Sequence, residues 1–98
     1  MILPVIFRHQ ARREFDDAGD WYEKERAGLG LEFLGEIRRL LSRIAATPHQ
    51  FPVIHRDVHK AVAKRFPYCI YFRVRDRLIV VLAVFHSARN PAVWQGRK

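Results

Sequence analysis

Arg65-Phe66-Pro67-Tyr68-Cys69-Ile70-Tyr71-Phe72-Arg73-Val74-Arg75 and, past Asp76-Arg77, Leu78-Ile79-Val80-Val81-Leu82-Ala83-Val84-Phe85 decide how this chain folds. Tyr68, Ile70, Phe72 and Val74 alternate with more polar neighbours, the period of a strand with one buried face. Leu78 to Phe85 is instead an unbroken β-branched and aromatic run, which predicts a central strand buried on both faces. Arg75-Asp76-Arg77 and Phe66-Pro67 are the turns that bound the first of these strands. Upstream, Val58 to Phe66 alternates loosely and supplies a third strand, so this end of the chain reads as an antiparallel meander.

Working outward, residues 48–57 hold Pro48, Pro52 and no period, and they read as a loop. Before them lie two helical patterns. Ala11, Phe15, Ala18 and Tyr22 recur at helical spacing, with Asp16, Asp17, Asp20 and Glu23 on other faces and Trp21 widening the stripe, over about residues 8–26. Ala27-Gly28-Leu29-Gly30 breaks that helix. Phe33, Ile37, Leu40, Leu41 and Ile44 form the second, which Thr47-Pro48 closes. Gly19 and Gly35 each weaken a helix interior by about 1 kcal/mol, so close approach of the two backbones is one compensation and a tolerated surface glycine is the other. Ile2 to Phe7 reads as a first strand that Pro4 confines to an edge or a strand start. The order is β-α-α-β-β-β, an α+β class in which a helical hairpin packs on one face of a small, mainly antiparallel sheet. The opposite face, with its arginines and lysines, is expected to be free. Residues 1–98 read as one domain.

Charge divides the chain. Residues 1–36 carry five basic against eight acidic side chains, and residues 37–98 thirteen against two, for a net charge of +8. A field of that sign steers polyanions such as RNA, DNA or an acidic protein toward the second half; it equally serves as a solubilising surface. The apolar content of 49% excludes a disordered chain. No apolar run approaches the roughly 20 residues of a membrane helix, and the N-terminal stretch is too short for a signal peptide. Cys69 is the single cysteine, so no internal disulfide forms. A cytoplasmic protein is expected.

Histidines 49, 55 and 59 cluster in sequence, but no second cysteine or helical His-x-x-x-His pair accompanies them, so no metal site and no cofactor are expected. Cys69 lies within a strand without a histidine and carboxylate to activate it. Metal-free RNA cleavage asks for less: a base for the 2′-hydroxyl, cations for the developing charge, and a donor to the leaving oxygen. Lys60, Lys64, Arg65, His86 and Arg89 are the residues of suitable type, with His86 first because its proton exchanges near neutral pH. The plainer reading makes them solvated or phosphate-positioning charges. Trp94, Tyr68 and Phe66 suit either base stacking or the core.

Trp21-Tyr22-x-x-x-x-x-Gly28-Leu29-Gly30-x-x-Phe33, Arg65-Phe66-Pro67-Tyr68-x-Ile70-Tyr71 and Val84-x-His86-x-x-Arg89-x-Pro91-x-x-Trp94, in the order given above, together resemble the RelE/ParE superfamily of type II toxin-antitoxin toxins. The resemblance covers almost the whole chain. It implies a toxin held inactive by a cognate antitoxin whose C-terminal segment wraps the helical hairpin and sheet, with Phe15, Trp21, Tyr22, Phe33 and Ile37 as the antitoxin-binding candidates. RelE-like members cleave messenger RNA on the ribosome; ParE-like members poison DNA gyrase and need no catalytic set. Here Cys69 stands where RelE carries an arginine after the tyrosine matching Tyr68, Val62 stands for one of its lysines, and its last-strand arginine falls near Ser87. The Phe-Pro-Tyr entry and the His-x-x-Arg-x-Pro-x-x-Trp ending are closer to the ParE-like, plasmid-stabilisation branch.

Three readings follow from the resemblance. A gyrase poison would use Arg73, Arg89, Trp94 and Arg97 to bind its target. A ribosome-dependent endoribonuclease would use Lys60, Lys64, Arg65, His86 and Arg89. A degenerate member would keep only antitoxin binding, with Cys69 as its signature. In each, an acidic and partly apolar antitoxin segment that folds on binding suits the basic half of the chain.

Overall fold

The structure, a computed structural model, describes residues 2–97. The elements are β1 (Val5–Phe7), α1 (His9–Glu25), α2 (Leu29–Ala46), a 3₁₀ turn (Pro48–Gln50), β2 (Val53–His55), β3 (Val58–Val62), β4 (Tyr68–Arg75), β5 (Leu78–His86) and α3 (Ala92–Gln95). The strands form a five-stranded sheet in the order β1-β5-β4-β3-β2. β1 lies parallel to β5, and the remaining pairs are antiparallel. Among the described residues no helix is long and apolar enough to cross a membrane.

The β4–β5 hairpin turns on two residues, Asp76 and Arg77, both in the left-handed region at φ 50° and 61°. That backbone matches the right-handed twist of the flanking strands. Opposite Tyr71 and Phe72, β5 carries one extra residue: Tyr71 faces Ala83 and Phe72 faces Val81, leaving Leu82 as a bulge. Pro4 sits just before the edge strand β1, where its missing N–H costs no ladder bond, and its carbonyl accepts from the Ile79 N–H at 2.9 Å.

Ala11, Phe15 and Ala18 of α1 and Phe33, Ile37, Leu40 and Ile44 of α2 pack on Ile70, Phe72, Ile79, Val81 and Val84 of the sheet. The helices cross where a side chain on Gly30 would put its Cβ 2.6 Å from the Gly19 carbonyl oxygen. Gly19 thus has the close-approach role, and its partner is Gly30, which the sequence placed in the break. Gly35 would meet only the tip of Arg39 and is a surface glycine. The turn into α2 is held by Glu23, whose carboxylate accepts from the N–H groups of Gly28 and Gly30 at 2.9 and 3.0 Å. This satisfies donors that a helix start leaves unpaired.

Two expectations are corrected. Residues 48–57 are not all loop, since Val53–His55 pairs with β3 as an edge strand only three residues long. A strand that short, between Pro52 and Arg56-Asp57, has no room to display a period. Nor is the second face of the sheet free: Val58, Cys69, Tyr71, Val80, Leu82, Ala83 and Phe85 are buried there together with Trp94. Trp94 stacks on Tyr71 with ring centroids 4.2 Å apart. A side chain of this size removes ~200 Å² from water, about 5 kcal/mol at ~25 cal/mol per Å².

Candidate functional site

Tyr68 opens β4 and His86 closes β5, and the register sets them opposite each other. Directly opposed residues share a face, here the face that carries the helices. Their rings meet edge to face at 5.3 Å. Pro67 fixes the approach, its carbonyl accepting from the Ser87 N–H at 2.7 Å. From α1, Tyr22 packs edge-on to Tyr68 at 6.1 Å and to Phe66 at 4.9 Å, while Trp21 turns outward and stays 55% exposed. Trp21-Tyr22, Phe66-Pro67-Tyr68 and the His86 to Arg89 segment, distant in sequence, therefore meet at one place.

That place is a groove. One part, of about 270 Å³, is lined by Glu14, Asp17, Trp21, Tyr68, His86 and Arg89, among others. A neighbouring part of about 410 Å³ shares Trp21, Tyr68 and His86 and adds Tyr22 and Pro67. Burial pushes the Tyr68 phenol above its ordinary value, Tyr22 adds to this, and the Arg89 cation opposes it. Both phenols stay protonated at neutral pH, because burial raises Tyr22 as well. The Ala88 N–H points at His86 Nδ1 at 3.1 Å, which makes Nδ1 the acceptor and places the neutral ring's proton on Nε2. Arg89 lies over the Phe85 ring at 4.2 Å and pairs with Glu14 at 3.2 Å.

Glu14 is the organising residue that sequence reasoning missed. β1 accompanies β5 only as far as Val81, so the rest of β5 runs without a neighbour on that side. Glu14 accepts from the Val84 N–H at 3.1 Å, and Arg97 donates to the Leu82 carbonyl at 2.9 Å. The two side chains pair at 2.9 Å and together stand in for the absent strand. The signal was present: Glu14 sits among Ala11, Phe15 and Ala18 on the apolar stripe, where a carboxylate needs a partner.

The other candidates are spread out. Lys60 is opposite Tyr71, on the Trp94 face, and is half-buried. Lys64 borders a second groove, about 210 Å³, with Glu36, Arg39, Leu40, Arg43 and Val62. Arg65 binds Glu32 at 2.6 Å, and its backbone N–H donates to Glu36 at 2.7 Å. Arg73 and Arg97 are largely buried in pairs with Asp57 and Glu14. Trp94 is fully buried and presents no face for stacking. Phe15, Phe33 and Ile37 are core, which leaves Trp21 and the half-buried Tyr22 as the exposed members of the antitoxin-binding set. Among the described residues no three His, Cys, Asp or Glu side chains converge to hold a metal ion. His59 is buried, and its Nδ1 lies 2.8 Å from the Phe51 carbonyl.

The family described as "ParE toxin of type II toxin-antitoxin system, parDE" matches residues 5–91. The chain belongs to the ParE toxin family. A comparison with curated proteins by sequence gives no match. Among solved structures, a chain of the chromosomal ParDE toxin-antitoxin system from P. aeruginosa superposes with a TM-score of 0.76 at 18% identity, covering 87% of this chain and 96% of that one. A chain of the RelBE2 toxin-antitoxin complex from Mycobacterium tuberculosis gives 0.64 at 19%, covering 88% and 99%. At these identities the superpositions speak for the fold, an α+β arrangement of two main helices on a mixed sheet. This ParE-family chain is a toxin of a type II toxin-antitoxin system.

Proposed function

We propose that this toxin arrests growth by binding DNA gyrase, without cleaving RNA itself, and that a cognate acidic antitoxin neutralises it. The observation that supports the first part is the separation of the residues a RelE-type cleavage would need. Lys60 registers with Tyr71 and His86 with Tyr68, on opposite faces of the sheet. Along β4 that is about 10 Å, and across two strand spacings about 10 Å more. A general base and a phosphate-binding cation must both reach the reacting group within hydrogen-bond distance. Arg65 is turned toward the carboxylates of α2. His86 and Arg89 share the Trp21 groove, which gives the ribonuclease reading a foothold.

Inducible expression tests this. The expected result is growth arrest with DNA-damage reporter induction and intact messages, retained in a Lys60→Ala, Arg65→Ala double variant. Codon-phased message cleavage lost on His86→Ala would transfer the assignment to the ribonuclease. Growth unaffected by the wild-type chain would point to the degenerate member.

For the antitoxin, two grooves beside α2 differ in sign. The groove between α1 and α2 is lined by Asp16, Asp20 and Glu23 and repels an acidic segment. The groove between α2 and β3 offers Arg39, Arg43 and Lys64 beside Val62, which is 58% exposed. An acidic, partly apolar segment fits the second. Arg39→Glu with Arg43→Glu should weaken neutralisation by the co-expressed antitoxin and leave toxicity in place; unchanged neutralisation would move the antitoxin to another surface.

A further inference from the structure

At the end of the sheet away from the Trp21 groove, four arginines surround one cavity. Arg56 comes from the β2–β3 turn, Arg73 and Arg75 from β4, and Arg97 from the segment after α3; Asp57, Gln95 and Gly96 complete the lining of a space of about 560 Å³. We propose that this cavity is a binding site for phosphate groups. The inference stands apart from the choice of gyrase as target.

Three observations carry it. First, positive charge is in excess: Asp57 is the one carboxylate in the lining, and it is shared between Arg73 at 3.4 Å and Arg75 at 3.2 Å. Arg97 is answered by Glu14 outside the cavity. Arg56, held at φ 52° in the two-residue turn, is exposed at its rim. Second, the buried Arg73 Nε–H, on a side chain only 13% exposed, forms no hydrogen bond: Asp57 Oδ1 stands 3.4 Å from it as an ion-pair partner, without hydrogen-bond geometry. A buried charged donor whose hydrogen bond is left unmade is costly, and the cavity that Arg73 lines is where a better-placed acceptor oxygen would enter. Third, the lining contains no aromatic or aliphatic side chain beyond the arginine stems, so nothing there would hold a nucleobase or an acyl chain. What remains is recognition of a multi-oxygen anion by guanidinium forks, the geometry suited to phosphate. The space exceeds one phosphate, so adjacent phosphates are the expected ligand, carried either by a free polyphosphate or by a nucleic-acid backbone held without base contacts.

The test uses the full chain with two probes, pyrophosphate and a short single-stranded oligodeoxynucleotide, titrated by calorimetry and by NMR of the arginine Nε–H resonances at low and moderate salt. Binding should move the Arg73 Nε–H resonance. Arg56→Gln, an exposed change that leaves the core alone, and Arg73→Gln should each weaken binding about tenfold, as expected when a charge-assisted hydrogen bond is lost. Arg13→Gln, on the far helix, should leave it unchanged. Asp57→Asn should tighten binding by removing the competing carboxylate, which a purely structural aspartate would not do. Pyrophosphate binding alone identifies a free polyphosphate site, and oligonucleotide binding that pyrophosphate displaces identifies a backbone site. Absence of binding by both probes, or binding that Arg56→Gln and Arg73→Gln leave intact, overturns the proposal.

Discussion

The two faces of the sheet are covered by different means. On one side lies a hairpin of two long helices, and its contacts are redundant: Phe33 alone meets Phe15, Tyr22, Phe66 and Tyr68. On the other lies a single turn of helix, Ala92–Gln95, held by Trp94 on Tyr71 and by Arg97 on Glu14 and Leu82. The first cover is a fold requirement, whereas the second is a latch that depends on two side chains. Single changes should therefore affect the two faces in different ways.

The largest expected effects compare one aromatic from each side. Phe33→Ala and Trp94→Ala should each cost about 3–5 kcal/mol in denaturant unfolding. They should part in character: Trp94→Ala should leave the helical signal and bind a hydrophobic dye in the native state, while Phe33→Ala should weaken the helical hairpin itself. Equal dye binding by both would remove the distinction. Next is the other half of the latch. Glu14→Gln strands Arg97 and weakens the cap on Val84, and an expected loss of about 3 kcal/mol follows from leaving a largely buried cation without its partner. Arg97→Gln should cost less, since the remaining carboxylate keeps Arg89 and the Val84 N–H.

A smaller effect belongs to the helix crossing. Gly30→Ala gains helix propensity but drives a methyl against the Gly19 carbonyl, and a net loss of about 1–2 kcal/mol is expected from thermal unfolding. Gly35→Ala, whose methyl would meet only the flexible tip of Arg39, should be neutral or stabilising. Smallest of all is the surface pair. The hydrogen bond from Arg65 is the main reason that Glu32 is held below its unfolded value of 4.5, with burial opposing it and the charges of Arg26 and Arg65 assisting. A depressed carboxyl contributes stability fully above the unfolded value and loses it as pH falls through the folded value. Acid titration should show that slope in the wild type and a shallower one in Glu32→Gln; identical curves would show that the pair contributes nothing.

What was legible follows from the same contrast. The helices and the β4–β5 hairpin were readable because burial on one or both faces imposes a period on many residues at once. β2 was not, because three residues between a proline and a tight turn carry no period. The burial of Trp94 was hidden for a related reason: its neighbours Pro91, Gln95 and Gly96 are polar or small, and a single anchoring aromatic looks the same in sequence whether it is exposed or docked. Trp21-Tyr22, Phe66-Pro67-Tyr68 and His86 to Arg89 were picked out singly, but only the strand register shows that they adjoin. Glu14 and Asp57 were not singled out and Glu23 was placed only on a polar helix face, although each holds backbone or arginine donors in place.

The most direct test of the central claim is a reaction of purified toxin with DNA gyrase and supercoiled plasmid, run beside a ribosome-bound message. Accumulation of cleaved plasmid that requires gyrase, with the message intact, is the result expected here. A cut message and unaffected gyrase would contradict the account and make His86 and Arg89 the centre of a ribonuclease.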